Sequence, residues 1–243
     1  MNPEELAAAV GKPLNTVGGA YYFHPSSVAR SKELGLDGFR FYVLGRGGVL
    51  GDCEAPVVES AFGWWNSSLI AKMWNSARTV VDPRQAAREL LACGHAIGRT
   101  AFADIDGLDA FNDAAEAVIA ATNPAALALY AGYAAEPLPD DAPARAMQHA
   151  ITLRELRGSA HIVAVLAAGL TPLQAHAIKR PEMVQSFGWE DVPEIDDSHH
   201  AALAAAEALT DKITAPGFAG LSDAQADALL SGANAMFEAL QTD

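Results

Sequence analysis

The chain has 243 residues, 51 % of them apolar, and thirty acidic against sixteen basic side chains give a net charge of −14. A length of this order buries about 70–75 % of its unfolded surface, so a sizeable core is available, while the anionic surface opposes the phosphate neutralisation on which duplex binding depends. No run approaches the roughly 20 apolar residues of a membrane span, the acidic start MNPEELAAAVGKPL is unlike a signal peptide, and Cys53 and Cys93 lie outside any CxxC spacing, which together suit the cytoplasm.

In chain order, nearly every segment reads as helix. FRFYVL at 39–44 is the best strand candidate and is equally compatible with helix. GRGGVLG follows, after which Asp52 is placed to cap EAPVVESAF, GWW makes a turn and Asn66 caps SSLIAKMWNSA. Asp82-Pro83 opens a helix through PRQAARELLACGHAIGRTAF, Asp104 and Asp106 precede another through FNDAAEAVIAAT, and Asn123-Pro124 starts one through ALALYAGYAA. EPLPDDAP at 136–143 reads as a linker, and a long helix from about Ala144 to Ala168 ends at Gly169. Thr171, Pro172 and Gln174 then form a capping box, so helix, short turn, helix appears a second time. Asp196 or Asp197 opens HHAALAAAEALTDKI, and Ser222 opens DAQADALLSGANAMFEAL. These elements predict an all-α protein of about ten to twelve helices. It divides into helical halves at 1–135 and 136–243, with a degenerate helix-turn-helix over 155–180.

GRGGVLG, FGWWNSSLIAKMW, LRELRGSAHIVAVLAAGLTPLQAH and SFGW occur in an order that resembles the SalK/EvbL-type helix-turn-helix proteins of actinobacteria, over about residues 15–215. The resemblance implies a helical fold with winged-helix-like subdomains and a setting beside natural-product genes, without a general activity. Such proteins carry a longer winged segment after SFGW. Here only EDVPEIDDSHH fills that gap, so a wing that would help hold DNA backbone is reduced or absent.

Several clusters bear chemistry. GRGGVLG matches neither GxGxxG nor GxxxxGK[ST], so its glycines read as a close helix crossing in preference to a phosphate cradle. Arg46 inside it must meet either a structural carboxylate or a ligand anion. In RELRGSAH, helical spacing puts Arg154, Arg157 and His161 on one face with Glu155 off it. That stripe suits an anionic ligand, and Asp140, Asp141 or Glu136 are the alternative partners for its arginines. A metal site from His149, His161 and His176 has no motif behind it, and no cofactor is specified. Adjacent Trp64 and Trp65 cannot both enter one core, so one is free to line a pocket for a flat ligand. Flanking Asp52 and Glu54 disfavour a Cys53 thiolate.

The leading expectation is a small-molecule-binding protein of secondary metabolism whose ligand is aromatic and anionic, held by Arg46, Trp64, Trp65, Arg154, Arg157, His161 and His176. A tailoring enzyme with His161 as acid or base is the first alternative. The second is a transcriptional regulator reading DNA through Gln174, His176, Lys179 and Arg180. The C-terminal stripe of Leu229, Leu230, Met236, Phe237 and Leu240 either covers a second copy in a homodimer or folds back on its own chain.

Overall fold

A computed structural model describes residues 1–241. These residues form twelve α-helices: α1 (Pro3–Val17), α2 (Pro25–Glu33), α3 (Gly38–Gly47), α4 (Ala55–Phe62), α5 (Ser67–Ala77), α6 (Pro83–Ala101), α7 (Leu108–Ala121), α8 (Ala128–Ala134), α9 (Ala142–Ala167), α10 (Pro172–Lys179), α11 (Asp197–Phe218) and α12 (Asp223–Ala239). No strand occurs among the described residues, and FRFYVL lies inside α3. Among the described residues no single helix is long and apolar enough to cross a membrane.

The helix starts follow from side-chain oxygens that satisfy the first backbone N–H groups. Asn66, Asp82, Asp141, Thr171, Asp196 and Ser222 each accept such a bond at the head of α5, α6, α9, α10, α11 and α12. Two expected starts move. Asp52 does not cap α4, whose cap position is Glu54 without a side-chain bond; its carboxylate instead meets Arg78 at 2.5 Å. Asn123 bonds only the Ala125 amide, and α8 begins several residues later, at Ala128, after Ala126 takes a left-handed φ of 64°.

The long helix α9 is the axis of the molecule. It packs against α1, α6, α7, α8 and α11, so its buried residues ring the helix instead of forming one stripe. The proline-rich segment before it is also packed, since buried Glu136 meets Arg84 at 2.7 Å. The GRGGVLG glycines make the expected close crossing. A Cβ on Gly45 would lie 2.7 Å from Leu90, and one on Gly48 only 1.9 Å from the Pro83 carbonyl, so α3 meets α6 backbone to backbone. At the other end α12 folds back on α1 and α7, burying Leu229 and Met236 completely. A smaller core of Ala164, Val165, Leu170, Leu203 and Ala206 holds α10 against α9 and α11. There α10 turns from α9 by 109°, within the usual helix-turn-helix range.

Candidate functional site

A cleft of about 410 Å³ opens between α1, the turn after α4, α9, α10 and α11. That volume suits a small organic ligand. Arg46, Trp64, Trp65, Arg154, Arg157, His161 and His176 all line it, so the side chains singled out by sequence meet at one place.

Two Phe-Gly-Trp tripeptides build the aromatic wall. Gly63 and Gly188 both hold positive φ, 56° and 82°, turning the chain sharply after Phe62 and Phe187. The two turns clasp each other: the Asn66 amide donates to the Phe187 carbonyl at 2.9 Å, and Trp189 Nε1 donates to the Trp64 carbonyl at 3.1 Å. This grip stacks Phe187 on Trp65 with ring centres 3.9 Å apart and sets it against His176 at 4.2 Å. Trp64 faces the His161 ring at 5.4 Å. The adjacent tryptophans therefore divide the wall between them.

Behind the wall lies a buried ionic network. Arg46 grips Glu155 with both arms, Nε to Oε1 at 3.0 Å and Nη2 to Oε2 at 2.9 Å. Arg154 Nη1 and the Tyr22 hydroxyl donate to the same Oε1 at 2.6 and 2.7 Å. Tyr42 accepts from Arg46 Nη1 and from Trp65 Nε1, which ties the network to the aromatic wall. Burial by itself would raise the Glu155 pKa; the two guanidinium charges and the donated bonds outweigh it and hold the carboxyl at about 2. Arg46 thus has a structural carboxylate, and it is the neighbour that helical spacing had turned away from the stripe. The other proposed partners are engaged elsewhere: Asp141 with Arg99 and Glu136 with Arg84.

A second network crosses the mouth. Glu207 on α11 bridges Arg157, at 3.1 Å, and Lys179, and Asp211 stands 3.3 Å from Arg157. Lys179 and the guanidinium of Arg157 hold the Glu207 carboxyl at about 2 despite its partial burial. His161 Nε2 lies 3.6 Å from Glu207, and its Nδ1 bonds the Thr210 hydroxyl at 2.8 Å. Burial pulls the His161 pKa down to about 4 and lowers that of His176 as well, so both imidazoles are neutral near pH 7.

The charge balance is unusual for so acidic a chain. Lys12, Arg46, Arg154, Arg157, Lys179 and Arg180 line the cleft, six of the sixteen Lys and Arg residues, against one lining carboxylate, Glu207. After Glu155, Glu207 and Asp211 are matched with three of these cations, three remain in excess. Helix α1 is shaped to let the α9 arginines through. A Cβ on Gly11 would meet Arg157 Nε at 2.8 Å, and one on Gly18 would meet Arg154 Cβ at 2.8 Å.

Sequence reasoning did not find Lys12, Tyr42, Glu155, Phe187 or Glu207. Phe187 carried a readable signal, the repetition of Phe62-Gly63-Trp64 at 187–189. His149 stands apart from the cleft, bonded to Asn112 at 3.0 Å, and no group of three His, Cys, Asp or Glu residues is placed to hold a metal ion among the described residues. Burial also raises the Cys53 thiol, against a nucleophilic role.

Residues 7–243 match a helix-turn-helix family. No curated protein and no solved structure matches the chain.

Proposed function

The chain belongs to that helix-turn-helix family, and on this premise we propose that it is a cytoplasmic protein that binds a small aromatic anion in the cleft. The SalK/EvbL-like motif order is what supports assigning such a ligand to the natural-product metabolism of an actinobacterium. One observation carries the reading. In a chain of net charge −14, six cations converge on a cleft walled by Trp64, Trp65 and Phe187. An aromatic ring gains from such a wall, and the excess guanidinium and ammonium groups offer charge-assisted bonds to a carboxylate or phosphate. Three of the side chains expected to read DNA already have partners, while Arg180 is exposed. Gln174 is held by Thr171 and His199, His176 is buried on Phe187, and the exposed Lys179 pairs with Glu207.

Native mass spectrometry of the protein isolated from its producing host tests this reading. The expected result is a retained species with the mass of an aromatic acid. An apo mass, joined to the absence of any thermal shift across a panel of aromatic acids, overturns it. Membership of the family favours a second reading, a transcriptional regulator. Duplex binding that weakens steeply with added salt would establish it, and no gel shift at low salt would remove it.

A further inference from the structure

The hydrogen bonds around His161 define which chemistry its imidazole offers. The Thr210 hydroxyl donates its one hydrogen to the Ala206 carbonyl at 2.7 Å, so it can only accept in its contact with His161 Nδ1 at 2.8 Å. The proton of the neutral ring therefore sits on Nδ1, and Nε2 carries a lone pair. This Nε2 is buried without a hydrogen-bond partner and stands 3.6 Å from a Glu207 carboxylate oxygen. Two acceptors face each other with no proton between them, an arrangement that a donor from a ligand would relieve.

The surroundings define the rest of that ligand. Trp64 lies along the imidazole at 5.4 Å and offers a flat apolar face. Gly158, one turn before His161, leaves open space where a Cβ would stand. Arg154 is seven residues before His161 on α9, about 10 Å along the helix. Its charge is the surplus one of the two guanidiniums that share Glu155, and Lys12, which pairs with no carboxylate among the described residues, lines the same cleft.

Resting on the ligand-binding reading above, we infer that the cleft takes a hydroxylated aromatic acid, its hydroxyl donating to His161 Nε2 and its carboxylate reaching Arg154 and Lys12. The ring lies against Trp64. Glu207 keeps Arg157 and Lys179 as partners when the hydroxyl arrives, because both already bind it.

Isothermal titration calorimetry with 6-hydroxy-2-naphthoate, 6-methoxy-2-naphthoate and 2-naphthoate separates the parts of this assignment. The hydroxy acid is expected to bind about fivefold or more tightly than either of the others, the gain of one hydrogen bond to a buried acceptor. His161→Phe is expected to abolish that preference, so that the hydroxy and methoxy acids bind the variant within about twofold of each other. Equal affinity for all three acids in the unmodified protein overturns the hydroxyl assignment and leaves the aromatic-anion reading in place. No binding by any of them overturns both. The methoxy comparison keeps the ligand oxygen and removes only its proton, so the decision does not depend on the variant folding.

Discussion

Replacing Glu155 with Gln keeps the shape of the side chain and removes its charge. In the native protein that carboxylate is fully buried and accepts four bonds, two from Arg46, one from Arg154 and one from Tyr22. The amide group of Gln would turn donors toward Arg46 Nη2 and leave two guanidiniums facing each other without a counter-ion. Breaking a buried ion pair on one side costs about 3–5 kcal/mol. For a chain of this size that corresponds to a melting temperature lowered by about 6–20 °C. Differential scanning calorimetry measures it directly, with urea unfolding followed by circular dichroism as a check. A control separates the unpaired charge from lost packing. In Arg46→Met/Glu155→Leu both buried partners become apolar, and Arg154, whose side chain is 20 % exposed, can hydrate through the cleft. The double variant is expected to be more stable than Glu155→Leu alone. A loss below about 1 kcal/mol for Glu155→Gln would refute the reasoning, since it would mean that water already screens the network.

Two further predictions follow from the same packing. The folded pKa values of His149 and His161 are depressed from the ordinary 6.5 to about 4, by burial first; Arg145 adds to it at His149, and at His161 the Glu207 carboxylate opposes it while Lys179 and Arg157 add to it. Unfolded histidines bind protons that the folded ones refuse, so this stability is complete above pH 6.5 and is lost as the pH falls toward 4. Urea midpoints should decline across that interval; a flat profile between pH 6.5 and 4.5 contradicts the assignment. Gly48→Ala should cost about 3 kcal/mol or more or prevent folding, because its Cβ would overlap the Pro83 carbonyl of α6. Gly158→Ala meets nothing within 4 Å and should raise the melting temperature slightly, as expected for Ala in place of Gly within a helix. Equal behaviour of the two variants would refute the backbone crossing of α3 and α6.

Local chemistry was the legible part of this fold. Asn66, Asp82, Thr171 and Ser222 mark helix starts because a cap is decided within three residues of sequence. Asp52 was misread for a non-local reason: Arg78, 26 positions on, takes its carboxylate. The same limit applies to the cleft. Helical spacing placed Arg154, Arg157 and His161 together, yet it also set Glu155 off their face. That helix is surrounded, so its off-face carboxylate points at α3 and finds Arg46, 109 residues away in sequence. Lys12 and Glu207 were hidden by distance along the chain, since nothing near them in sequence announces that α1 and α11 frame the site.

The position of α1 has a consequence for how the protein comes to exist. Its partners are α9, α11 and α12, and Lys12 lies over the Phe237 ring at 5.8 Å. Helix α1 is therefore synthesised well before its companions. Leu6, Val10 and Leu14 stay without their full native cover until α9, α11 and α12 have left the ribosome. The glycines of α1 settle over the α9 arginines only then, so the cleft is among the last features to assemble. A nascent chain halted before α9 would present a greasy, unpartnered α1 to the chaperones that meet it, and it would have no binding site at all.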